Sequence, residues 1–112
     1  MNKIDKDLQK LWTVFNKALV KKMKKDVIAD SFQESLDKIL LIIFPNQEEP
    51  FFLYSSRALI TETIFILLKD GISKQDFNLQ AVLDNLETNS KKVLKFAKKK
   101  LLNVSLEPIK ST

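Results

Sequence analysis

The chain has 112 residues, no cysteine, no histidine and one glycine, and its 19 lysines and arginines against 14 aspartates and glutamates give a net charge of +5. That length is enough for one domain with its own core. The missing residue types exclude structural zinc on Cys/His ligands, thiol catalysis and any histidine-based acid–base or nucleophilic mechanism within these residues. The basic excess favours acidic partners such as nucleic acid, an anionic membrane or an acidic protein surface. A cysteine-free composition fits a reducing cytoplasm. The opening MNKIDKDLQK offers no apolar run of the kind a secretory leader needs. The most hydrophobic window, Leu53 to Leu68, is interrupted by Arg57 and Glu62. It is short of the roughly 20 apolar residues of a spanning helix, so it reads as core.

In chain order, a first helix is expected to start near Asp5 or Asp7, whose carboxylates suit the positive helix end. Leu8, Leu11, Trp12, Phe15, Leu19 and Met23 recur at three- and four-residue spacing and form one apolar stripe. Its far end carries Lys21, Lys22, Lys24 and Lys25, which either complement the negative helix terminus in solvent or hold an acidic ligand. A second helix is expected from Asp30 or Ser31, where Ser31 and Glu34 have the spacing of a capping box. Phe32, Leu36, Ile39, Leu40 and Ile43 are its inward face, and it must end before Pro45. Residues 45–50 read as a loop.

Pro50 to Lys69 is the strongest helix in the sequence. Proline suits its first turn and Gly71 suits its exit. Apolar residues occur on every side of it, which predicts a helix surrounded by other helices. Residues 73–78 read as a loop or a short helical turn. Asn78 is an N-cap for a helix from Leu79 to about Leu86, with Val82, Leu83 and Leu86 inward and Phe77 stapling the entrance. Ser90 caps a last helix whose apolar residues are Val93, Leu94, Phe96, Ala97, Leu101 and Leu102. From Val104 to Thr112 an extended or poorly ordered tail is expected. The predicted fold is an all-α, compact orthogonal bundle of about five to seven helices around a buried central helix at residues 50–69, with one domain over residues 1–103 and a tail over 104–112.

The last helix also carries Lys91, Lys92, Lys95, Lys98, Lys99 and Lys100, with no acid among them. Such lysines repel one another unless an acidic surface approaches, although a solvated charged face near a helix C-terminus is an ordinary feature too. The helix lacks the Arg, Asn and Gln residues that read base edges, so any nucleic-acid contact there is phosphate positioning. Arg57 stands amid Leu53, Tyr54, Ala58, Leu59 and Ile60 and is either partly buried and paired with Glu48, Glu49, Glu34 or Asp37 or exposed through a gap in the packing; pairing is favoured, because an unpaired buried guanidinium is costly. No catalytic constellation and no Gly-rich phosphate loop is present, and no cofactor or metal is implied.

Two separated stretches carry a family likeness. Trp12-Thr13-Val14-Phe15-Asn16, after an acidic residue at a helix start, resembles the W-x-x-F-N segment of the all-alpha domain of type IV coupling proteins, the ATPases of conjugation and type IV secretion. Some forty residues on, Pro50-Phe51-Phe52 followed by Ser56-Arg57-Ala58-Leu59 resembles that family's P-F-W then A-R-x-L stretch. The resemblance spans Asp5 to about Lys100. It implies a recognition domain excised from a membrane-anchored motor, facing the cytoplasm, with no ATPase activity of its own. Its cargo would be an effector protein, a relaxosome or DNA, or an adaptor or regulatory protein with an acidic surface. Trp12, Phe15, Phe51, Phe52 and Arg57 would then be scaffold, with recognition left to Lys91–Lys100 and Lys21–Lys25. The alternative is a stand-alone basic helical protein, a nucleic-acid-associated factor or a secretion chaperone.

Overall fold

The computed structural model describes the backbone of residues 3–21, 25–45 and 50–110, and the side chains of residues 3–17, 30–45 and 53–104. Among the described residues five helices follow one another: α1 (Lys3–Lys21), α2 (Lys25–Ile43), α3 (Pro50–Lys69), α4 (Leu79–Asp84) and α5 (Lys91–Lys110). The described residues contain no strand. This is the all-α bundle that the three- and four-residue apolar spacing predicts. Ile4, Leu8 and Leu11 of α1 and Phe32, Leu36, Ile39 and Ile43 of α2 are buried, and these two helices pack along each other. Helix α5 touches each of the other four helices. Its inward row Val93, Ala97, Leu101 and Val104 sits against the common core.

The connection after α3 explains how α1 is held. Gly71, at φ +84°, takes the left-handed conformation that a β-carbon disfavours. The Ile72 amide donates to Leu67 O and the Gly71 amide to Leu68 O, both at 3.2 Å, which is the Schellman arrangement expected of a glycine at a helix exit. The Ile72 carbonyl in turn accepts from Trp12 Nε1 at 2.8 Å. Gln9 Nε2 donates to the carbonyls of Lys74 and Phe77. Asp5 Oδ1 accepts from the Leu79 amide at 2.8 Å. Asp5, Gln9 and Trp12 lie four and three residues apart on α1, so a single polar stripe stitches that helix to residues 72–79.

At the head of α4, Asn78 has extended dihedrals and its side chain accepts from the Ala81 amide at 2.9 Å, as an N-cap does. Phe77 beside it is fully buried. Ser90 Oγ accepts from the Val93 amide at 3.3 Å and caps α5.

Several boundaries differ from expectation. Helix α2 begins at Lys25, so Ser31 and Glu34 lie inside it, both exposed, and form no capping box. Helix α4 stops at Asp84, short of the buried Leu86. Helix α5 runs to Lys110 where an extended or poorly ordered tail is expected from Val104, and Val104 itself is buried in line with Val93, Ala97 and Leu101. The largest difference concerns α3. Leu53, Ser56, Leu59, Ile60, Thr63, Ile64 and Leu68 are buried, but Tyr54 is 64% and Ile66 51% exposed. Its apolar character on every side reflects apolar residues on an open face, not enclosure on every side.

Candidate functional site

The lysines of α5 sort by helical geometry. With 3.6 residues per turn, Lys91, Lys95 and Lys98 fall in one stripe and Lys92, Lys95 and Lys99 in the adjoining one. All five are exposed. The buried row Val93, Ala97, Leu101 and Val104 occupies the opposite side, so the core itself aims the lysines outward. Between Lys91 and Lys98 the helix rises by about 10 Å. None of the five forms an ion pair among the described residues. A cation surface of this kind, fixed on one helix, suits an acidic surface or a run of phosphates more than a single small anion, since no lysine is backed by a convergent donor.

Lys100 departs from the group. It is half-buried, with Nζ 5.2 Å from the centroid of the Phe96 ring, and Phe96 stacks at 6.4 Å on Phe44, the residue just after α2. Lys100 covers the aromatic contact between α5 and the residue that follows α2. Lys21 closes α1 and Lys25 opens α2. The side chains of Lys21, Lys22, Lys24 and Lys25, like those of Phe51 and Phe52, lie outside the described residues.

Trp12 and Phe15 rest half-buried against the core. Phe15 meets Phe32 at 6.0 Å, and Phe32 meets Phe65 of α3 at 4.7 Å, so an aromatic row joins α1, α2 and α3. Arg57 does not take the ion pair expected of it with Glu34 or Asp37, and Glu48 and Glu49 lie outside the described residues. It makes no ion pair among the described residues and is half-exposed, which removes the desolvation cost that called for a partner.

Arg57 instead lines a groove of about 620 Å³ between α2 and α3, with Asp37, Leu36, Leu40, Glu62, Phe65 and Lys69. Its floor is apolar and its rim carries both signs of charge. A second depression of about 310 Å³ lies on the other side of the α3 ridge, against Glu62, Ile66, Asn85 and Glu87. Sequence reasoning missed both, because they arise where α2 and α4 diverge from α3 and not from any local motif. Among the described residues no three carboxylates are grouped to hold a metal ion. No helix among them is long and apolar enough to cross a membrane. No family model, curated protein or solved structure matches this chain.

Proposed function

We propose that this domain is a recognition module that takes the acidic surface of a protein partner on the outer face of α5. The observation that carries the reading is the arrangement of Lys91, Lys92, Lys95, Lys98 and Lys99: exposed, on one side of one helix, and without ion pairs among the described residues. Like charges at three- and four-residue spacing cost a helix stability, and an approaching acidic surface offsets that cost. The domain itself performs no chemistry in this reading.

For its setting we propose the all-alpha recognition domain of a type IV coupling protein, on the cytoplasmic side of a membrane-anchored ATPase. The support is the motif residues: Trp12, Phe15 and Asn16 fall on α1, and Pro50 and Arg57 fall on the first two turns of α3. Its cargo would be a secreted effector, a relaxosome component or an adaptor protein.

The test is capture of partners from the source cell's lysate by the domain and by a variant with Lys91, Lys92, Lys95, Lys98 and Lys99 changed to glutamine. Recovery of secretion adaptors, effectors or relaxosome proteins by the wild type alone is the expected result. Equal recovery by both proteins refutes the α5 surface. Recovery of nucleic acid alone, abolished by modest salt, refutes the protein-partner reading in favour of a phosphate-binding helical factor.

A further inference from the structure

The positive strip on α5 has a counterpart of opposite sign in the same chain. On α2, Asp30, Glu34, Asp37 and Leu41 follow one another at spacings of four, three and four residues. On α5, Lys91, Lys95, Lys98 and Leu102 repeat the same spacings. Three-and-four spacing keeps each set on one side of its helix. All the charged members are exposed, and each strip ends in an exposed leucine, Leu41 at 63% and Leu102 at 48%.

Within one molecule the strips do not meet. Helices α2 and α5 pack on each other, Phe44 just after α2 stacks on Phe96 of α5, and no ion pair joins the two helices among the described residues. Asp37 accepts a hydrogen bond from Gln33 at 2.8 Å, which steadies one oxygen and leaves the other for a cation. Lys38, four residues after Glu34 and also exposed, adjoins the acidic strip on the same side of α2 and aligns with Lys99 in the matching spacing, so one like-charge pair stands against the three opposite ones.

We infer that the two strips are the halves of a self-complementary surface, through which the α2 face of one copy docks in parallel register on the α5 face of a second copy. In that register Asp30 meets Lys91, Glu34 meets Lys95, Asp37 meets Lys98 and leucine meets leucine. The antiparallel register sets Asp30 against Leu102 and Leu41 against Lys91, so charge selects the parallel one. A second copy is the occupant because both halves, with matching residue spacing, are on this chain. If the two contacts are related by a two-fold axis, each pair forms twice, as in an isologous dimer. Exposed ion pairs are individually weak, so the association is reversible and strongly screened by salt. The inference goes beyond cargo recognition and stands whether or not the lysine strip also takes a partner.

The test is sedimentation equilibrium of the whole chain at about 0.01 M and about 1 M ionic strength, where the screening length falls from about 30 Å to about 3 Å. The wild type is expected to approach twice the monomer mass with rising concentration at low salt and to remain monomeric at high salt. Glu34→Lys and Lys95→Glu are each expected to weaken association at least about tenfold, since like charges then face each other. An equimolar mixture of the two variants is expected to regain it, because each reversed residue meets the other. The reversals move net charge in opposite directions, so a loss in both is not an effect of overall charge. Circular dichroism of each variant checks that these exposed changes leave the helices formed. A wild type that stays monomeric at low salt overturns the inference. So does association that survives both reversals, or a mixture that fails to recover it.

Discussion

Replacing Asp5 with alanine removes an acceptor that belongs to one helix and serves another. Asp5 lies in the first turn of α1, while its Oδ1 accepts from the Leu79 amide, the first N–H of α4, at 2.8 Å. A hydrogen bond to a charged group contributes about 1.5–3 kcal/mol. The carboxylate is only half-buried, so the lower end, about 1.5 kcal/mol, is the appropriate figure. For a domain of this size that corresponds to a fall of about 6 °C in Tm. Helix α4 has six residues, too few to persist without tertiary support, and it buries Leu79 and Val82. The loss therefore falls first on α4.

Thermal unfolding followed at 222 nm reads the global effect, and hydrogen exchange at the Leu79 amide reads the local one. Asn78→Ala, which removes the other cap of the same helix, is expected to cost about 1 kcal/mol. If α4 opens as a unit once either cap is lost, the double variant costs less than the sum of the two. Asp5→Asn keeps an acceptor and is expected to fall between wild type and alanine. A Tm within a degree of wild type for Asp5→Ala, with unchanged protection at Leu79, would refute the claim that this bond holds α4 in place.

Gly71→Ala is expected to destabilise by about 1–2 kcal/mol, measured by urea unfolding, because the cost is the left-handed backbone alone: an added β-carbon meets nothing within 4 Å. Gly71→Asn should cost less. Ser56 Oγ is fully buried with no hydrogen-bond partner among the described residues. Ser56→Ala is therefore expected to be neutral or stabilising by up to about 1 kcal/mol, and a loss of stability would show that the hydroxyl is satisfied. Trp12→Phe leaves the Ile72 carbonyl without its donor. It is expected to cost about 1–2 kcal/mol in the same assay, and an unchanged midpoint would mean that solvent replaces the indole.

How far the fold was legible follows from which forces are local. Asn78, Ser90, Pro50 and Gly71 mark helix ends through backbone chemistry that a single sequence displays, and each does so in the structure. The apolar rows of α1 as far as Phe15, of α2 and of α5 were legible for the same reason; the side chains of Leu19 and Met23, expected to continue the first row, lie outside the described residues. The open face of α3 was not, since Tyr54, Ala58 and Ile66 look like core residues until the positions of neighbouring helices are known. The stripe Asp5, Gln9 and Trp12 was half visible: the spacing is there, but its partners lie about sixty to seventy-five residues away. Ser31 and Glu34 show the converse, a local signature overridden because the helix continues through it. The lysine surface was legible as composition, whereas the separation of Lys100 from its neighbours required Phe96 to be placed.

The charges of α5 give salt two opposing effects, and their balance depends on protein concentration. In a single molecule the exposed lysines repel one another, so added salt screens that repulsion and should raise Tm. In a dimer joined through Asp30, Glu34 and Asp37, the same lysines are neutralised, so salt removes a stabilising contact and the linked stability with it. Dilute protein should therefore gain thermal stability with salt. Concentrated protein should start higher at low salt and gain less, or lose. A Tm that rises with salt equally at both concentrations would assign the lysines to repulsion alone and exclude a second copy as their neighbour. The Lys95→Glu variant separates the two effects further, because it eases the repulsion and weakens the docking: its Tm should respond less than the wild type's both to salt and to concentration.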